Sequence, residues 1–294
     1  MNIILIGTVR FSCEMFISLV DSGADIVGVI TGPDNKLNSD FADLNAASQE
    51  YGIPCLVTHD INGKKVLEWI NELSPDVLFC FGWSKLIKKE LLNIAPMGVI
   101  GYHPSALPKN RGKHPLIWAL VLGLKKTASS FFIMDEGADS GEVISQEEII
   151  INDDDDAGSL YEKMISIANN QLHSILPMLE KNSFLKQPQD PSKANLWRKR
   201  GVLDGKIDWR MSPTAINNLV RALTRPYIGA EFSYKGQQYK VWKCRKHDDI
   251  GYENIEPGKV FQVKNKTLMV KCNGGAIELL NVEPQLVISE GEYL

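Results

Sequence analysis

The sequence predicts an α/β fold: a Rossmann-like, doubly wound parallel sheet over residues 1–185, a linker at 186–202 and a smaller β-rich domain over 203–294. Three observations carry this. Short apolar runs alternate with helical-period segments through the first eighty residues, a proline-bearing polar stretch interrupts the chain near residue 190, and short alternating runs follow it.

The elements come in order. Ile3 to Ile6 is an apolar run ending at Gly7, and Phe11, Met15, Phe16, Leu19 and Val20 then recur at helical spacing. Ile26 to Ile30 reads as a strand, Asp40 to Tyr51 as a helix, Pro54 to Val57 as a strand, Lys64 to Leu73 as a helix and Asp76 to Phe81 as a strand. Strands separated by helices favour a parallel sheet covered on both faces. The turn at Gly7-Thr8-Val9-Arg10-Phe11 has one glycine and lacks the G-x-G-x-x-G run that brings a pyrophosphate to a helix N-terminus, so a dinucleotide is not expected. Asp153 to Asp156 precede a helical segment, Ala157 to Leu179, and read as an acidic run favoured by the helix dipole rather than as a metal site. Beyond the linker, Ser212 to Thr224 is amphipathic. Ala230–Tyr234, Gln238–Cys244, Gly258–Val263, Thr267–Cys272 and Ala276–Val282 then predict the strands of a small barrel or sandwich, whose exposed edges suit a homodimer.

Composition narrows the function classes. A net charge of -4 and a pI near 5.8 give no overall attraction to nucleic acid or anionic membrane. Residues 200–294 hold 14 Lys plus Arg against 11 Asp plus Glu, too small an excess to expect transfer RNA as the partner. No apolar run reaches the ~20 residues of a membrane span, and the first residues lack a basic leader, so a cytoplasmic location is expected. The five cysteines are scattered with no C-x-x-C pair, which disfavours disulfides and structural zinc.

The chemistry is expected in two segments. Gly98 to Gly112 follows a strand-like run and carries Pro104 and Pro108, so it forms a fixed loop at a strand end, where open α/β sheets place their ligands. His103 lies in it. Met134-Asp135-Glu136-Gly137-Ala138-Asp139-Ser140-Gly141 follows Phe131-Phe132-Ile133 and reads as a tight acidic turn. Taken singly, a histidine is more often a packing or surface residue and such a turn only a turn. Together they offer an imidazole and a carboxylate able to orient it and stabilise its cation.

His103, Leu107-Pro108, Arg111-Gly112, Pro115, Ile117-Trp118-Ala119-Leu120 and Asp135 to Gly141, with His103 and Asp139 36 positions apart, resemble the folate-dependent formyltransferases. Asp204 to Trp209, Asn218 to Ala222 and Arg225 to Ala230 resemble that family's C-terminal portion. The resemblance implies the formyltransferase fold and 10-formyltetrahydrofolate as co-substrate. It implies His103 and Asp139 as the catalytic pair, and Phe81, Gly82, Trp83, Lys85, Leu86, Asp135 and Gly137 as its folate contacts. Ser105, Lys109 and Arg111 are the expected contacts to the acceptor, and no metal is implied. Arg225-Pro226-Tyr227-Ile228-Gly229-Ala230 resembles the sugar enzymes of the family, so a nucleotide-linked amino sugar is the expected acceptor. A formyltetrahydrofolate hydrolase-like enzyme and a methionyl-tRNA formyltransferase are the alternatives. One departure bears on these: the family's transferases place an asparagine two residues before the histidine, where this chain has Gly101. Tyr102, Ser105, His114 or a backbone amide are the candidates for the missing donor.

Overall fold

A computed structural model describes residues 1–33, 39–248, 253–264 and 267–294. These form two compact units, one of residues 1–115, 126–150 and 162–197, the other of residues 116–125, 151–161 and 198–294.

The first unit is built on a seven-stranded sheet. Its strands are β1 (Ile3–Gly7), β2 (Ile26–Thr31), β3 (Cys55–Val57), β4 (Val77–Phe81), β5 (Val99–His103), β7 (Lys126–Ile133) and β8 (Val143–Ile150), in the order β3-β2-β1-β4-β5-β7-β8. A two-residue strand, β6 (Arg111–Gly112), lies outside this sheet. Helices α1 (Arg10–Asp21), α2 (Leu44–Glu50), α3 (Lys64–Leu73) and α4 (Lys89–Leu92) provide the crossovers, β1 to β5 run parallel, and α5 (Pro115–Val121) follows β6 in the chain. The near-continuous apolar strands IILIG and VLFCF are fully buried, as a sheet covered on both faces requires.

Two differences from the sequence reading are informative. Helix α2 starts at Leu44 rather than Asp40, because Asp43 caps it: its carboxylate accepts from the amides of Asn45 and Ala46. The far edge of the sheet is antiparallel: β7 runs against both β5 and β8, and a turn rather than a helix joins β7 to β8. The acidic run ahead of α6 (Ala157–Glu180) caps that helix: Asp156 and Ser159 exchange hydrogen bonds, and buried Asp155 accepts from Asn152 and Ser159.

The segment expected to be a linker is bound to the first unit through residue 197. Gln187 bridges to Val143, and β9 (Leu196–Trp197) pairs in parallel with β6. In the second unit, β10 (Ala230–Tyr234), β11 (Gln237–Asp248), β12 (Val260–Lys264), β13 (Thr267–Cys272) and β14 (Gly275–Glu283) form one antiparallel sheet in the order β10-β11-β14-β13-β12. α7 (Pro213–Leu223) packs on β11 and β14, so the described strands make a single helix-covered sheet where a barrel or sandwich was expected. In its core Phe232 stacks on Tyr239 and meets Trp209 edge-on.

Candidate active site

The strand order reverses between β1 and β4, and in such sheets the crevice lies beyond the carboxyl ends of the strands. At that edge β1 ends at Gly7, β4 at Phe81 and β5 at His103. Backbone geometry there demands glycine at Gly82: its φ is +66°, and a Cβ would lie 2.2 Å from Val9 Cγ2. The loops following β1 and β4 therefore come together closely, joined by Ser12 Oγ donating to Phe81 O and Thr8 Oγ1 to Gly82 O.

His103 is the last residue of β5 and is 5% exposed. Its Nδ1 lies 3.6 Å from Asp139 Oδ2, and its Nε2 lies 2.8 Å from the carbonyl oxygen of Asn110. Each ring nitrogen thus faces an acceptor oxygen. A neutral imidazole can donate to one of them, and only the imidazolium donates to both. Asp139 sits at φ +53°, in the left-handed region, and its Oδ2 also accepts from the Gly112 amide at 2.8 Å. The structure therefore joins the two segments that the sequence singled out.

The remaining expected site residues fall into three groups. Ser105 is fully buried, its Oγ donating to Lys109 O and its carbonyl accepting from Ser130 Oγ, so this side chain faces no solvent and holds the loop. Arg111 gives Nε and Nη2 to Gln189 Oε1, at 3.1 and 2.7 Å, while Lys109 is exposed. Across the crevice, Phe81 is fully buried and T-shaped to Phe11, whereas Gly82, Lys85 and Leu86 are exposed. Lys85 Nζ donates to His59 O, and Lys113 Nζ reaches Ser84 O. Trp83 is half-buried, and its indole N–H is buried without a hydrogen-bond partner. In the acidic turn, Asp135 Oδ1 accepts from Gly137 N and Ser140 Oγ, which fixes the turn that carries Asp139.

The asparagine position is filled. A Cβ on Gly101 would lie 2.8 Å from Met134 Cγ and 2.9 Å from Phe132 Cζ, so those side chains occupy the space. Tyr102 points away from His103 by strand alternation. Its ring stacks on Phe11 at 4.2 Å, its hydroxyl accepts from Ser129 Oγ, and burial pushes the phenol's pKa up. Asn110, Gln189 and Asn195 were not expected in this framework. Asn195 Oδ1 accepts from Asn110 N, and Gln189 and Asn195 both come from the segment read as a linker. Their only sequence signal was an apolar pair, Leu196-Trp197, beside short amides in a polar run.

Residues 1–176 match the formyl transferase family and residues 202–286 its C-terminal domain. The chain belongs to the formyl transferase family. Solved structures share the fold. WlaRD, a sugar 3N-formyl transferase crystallised in the presence of dTDP and 5-N-formyl-THF, has a TM-score of 0.70 at 18% identity over 97% of this chain and 99% of its own. The N-formyltransferase from Helicobacter canadensis, in complex with folinic acid and dTDP-3-aminofucose, has a TM-score of 0.72 at 18% identity over 94% and 98%. HypX from Aquifex aeolicus has a TM-score of 0.70 at 15% identity over 96% of this chain, which spans 45% of the length of HypX.

Proposed function

We propose that the protein transfers the formyl group of 10-formyltetrahydrofolate to the primary amine of a nucleotide-linked amino sugar. The observation that carries this reading is the His103–Asp139 pair at 3.6 Å, at the end of β5 in a formyl transferase fold. The dTDP and 5-N-formyl-THF in whose presence WlaRD was crystallised, and the folinic acid and dTDP-3-aminofucose of the Helicobacter enzyme, support the choice of substrates.

The unpartnered indole N–H of Trp83 fits a ligand that brings an acceptor. Residues Phe81 to Leu86 and the Asp135–Gly141 turn would hold the folate, which supplies the formyl carbon when bound. The incoming amine exchanges with Asn110 O at His103 Nε2 and gives up a proton there as its nitrogen attacks. His103 then returns that proton to the departing nitrogen as the old C–N bond breaks, while Asp139 stabilises the imidazolium between the two transfers.

A second reading has a specific observation behind it. With Phe132 and Met134 filling the space beside Gly101, no side-chain amide reaches the formyl oxygen from that position. In that reading water replaces the amine and formate is released. Mass spectrometry of the purified protein incubated with 10-formyltetrahydrofolate and a panel of nucleotide-linked amino sugars separates the two. A formylated sugar made in step with tetrahydrofolate is the expected result, and formate release with no formylated sugar would replace transfer by hydrolysis.

A further inference from the structure

The loop of His103 and the turn of Asp139 are far apart in sequence, and one side chain outside both ties them together. Gln189 Oε1 accepts from Arg111 Nε and Nη2, while Gln189 Nε2 donates to the carbonyls of Asp139 and Gly141 at 2.9 and 2.7 Å. The amide's orientation follows from its neighbours, because two carbonyls require the NH2 and a guanidinium requires the oxygen. Glutamate would offer acceptors only, methionine neither kind of group, and asparagine is one methylene shorter. The segment that carries Gln189 is anchored further on by the paired strands β6 and β9 and by the Asn195–Asn110 contact.

The clamp acts where the geometry is most demanding. Asp139 lies in the left-handed region, and its carboxylate must address His103 Nδ1 and Gly112 N together. Catching the carbonyls of both Asp139 and Gly141 fixes the Asp139–Ser140 and Gly141–Glu142 peptide planes and thereby the direction of the Asp139 carboxylate.

We infer that Gln189 is a positioning residue, one that sets the Asp139 carboxylate against His103 by clamping the Asp139–Gly141 turn to Arg111. The inference rests on the proposed role of the His103–Asp139 pair. In this view Arg111 acts through Gln189, and the supposed linker is part of the active-site framework.

The test uses the full chain with Q189M, R111M and the double variant. Expected for Q189M is a fall in kcat of about 100-fold, as for an ångström of misplacement, with KM for folate and amine within about threefold. Backbone amides of residues 135–142 exchange hydrogen faster, while those of α1 do not change. The double variant is no slower than the worse single one, because both substitutions open the same clamp. A Q189M enzyme with kcat within twofold, a loss carried by KM, or additive losses in the double variant would each overturn the inference. Should Q189M fail to fold, Q189E keeps the Arg111 contact and removes the donor, and it is expected to show the same loss of kcat. If the wild type turns over no substrate, the functional reading fails, and the clamp is judged by exchange alone: faster exchange at 135–142 sustains it and unchanged exchange ends it.

Discussion

The loops that follow β4 and β5 border the same crevice and are built differently. The β5 loop is pinned from several directions. Ser130 Oγ and Thr127 Oγ1 donate to the carbonyls of Ser105 and Pro104, Gln146 Nε2 to that of Leu107, Asn195 holds Asn110, and Asp139 holds Gly112. The β4 loop is held through Thr8 to Gly82, Lys113 to Ser84, Lys85 to His59 and Asn62 to Leu86. It keeps an unpartnered indole N–H at Trp83 and a Leu86 that is 69% exposed. The contrast separates two tasks. Proton transfer tolerates little misplacement, so its residues are fixed before substrate arrives, whereas a surface that must admit a ligand leaves donors unspent.

Removing the chemical pair gives the sharpest test of this division. H103A and D139N are expected to lower kcat by about a thousandfold, within the range of general acid–base catalysis, while KM for the folate stays within a few-fold. Steady-state kinetics of formyl transfer measures both. Losses concentrated in KM would mean that the pinned loop binds ligand and that the two loops share one task.

Gly101 tests how rigid the pinned side is. An asparagine there must push on Met134 and on Phe132, a 2% exposed residue of β7 packed against Leu107 and Val143. Overpacking of this kind costs about 1–3 kcal/mol. G101N should accordingly lose that much stability in urea unfolding without any gain in kcat. A variant of unchanged stability that also turned over faster would show that the space beside His103 opens readily, and the contrast between the loops would weaken.

Much of this was legible in the sequence because it depends on local pattern. IILIG, VLFCF and the amphipathic helix at 213–223 follow from periodicity, and the His103 and Asp139 motifs follow from their own residues. What joins those motifs was not legible. Gln189 and Asn195 act through backbone carbonyls and amides of distant residues, and such contacts leave no periodic trace in a run rich in proline and short polar side chains. The antiparallel edge escaped for a related reason, since β8, with its half-buried VISQEEII, lacks the continuous apolar signature of the central strands. Ser105, expected to contact the acceptor, lies in the loop after β5 with its side chain buried and turned to Lys109 O.

The smallest expected effect belongs to the open loop. If the indole N–H of Trp83 is reserved for a ligand, W83F keeps an aromatic ring and removes one donor. A single neutral hydrogen bond contributes about 0.5–1.5 kcal/mol net, so the folate KM should rise by about two- to tenfold. Because that contact is the same in the ground and transition states, kcat should not change. Titration of folate binding by fluorescence quenching, alongside steady-state kinetics, reads both quantities. Weaker binding at constant kcat would confirm that this loop binds and does not steer the chemistry. A fall in kcat with unchanged binding would place Trp83 with His103, and the difference in build between the two loops would no longer mark a difference in task.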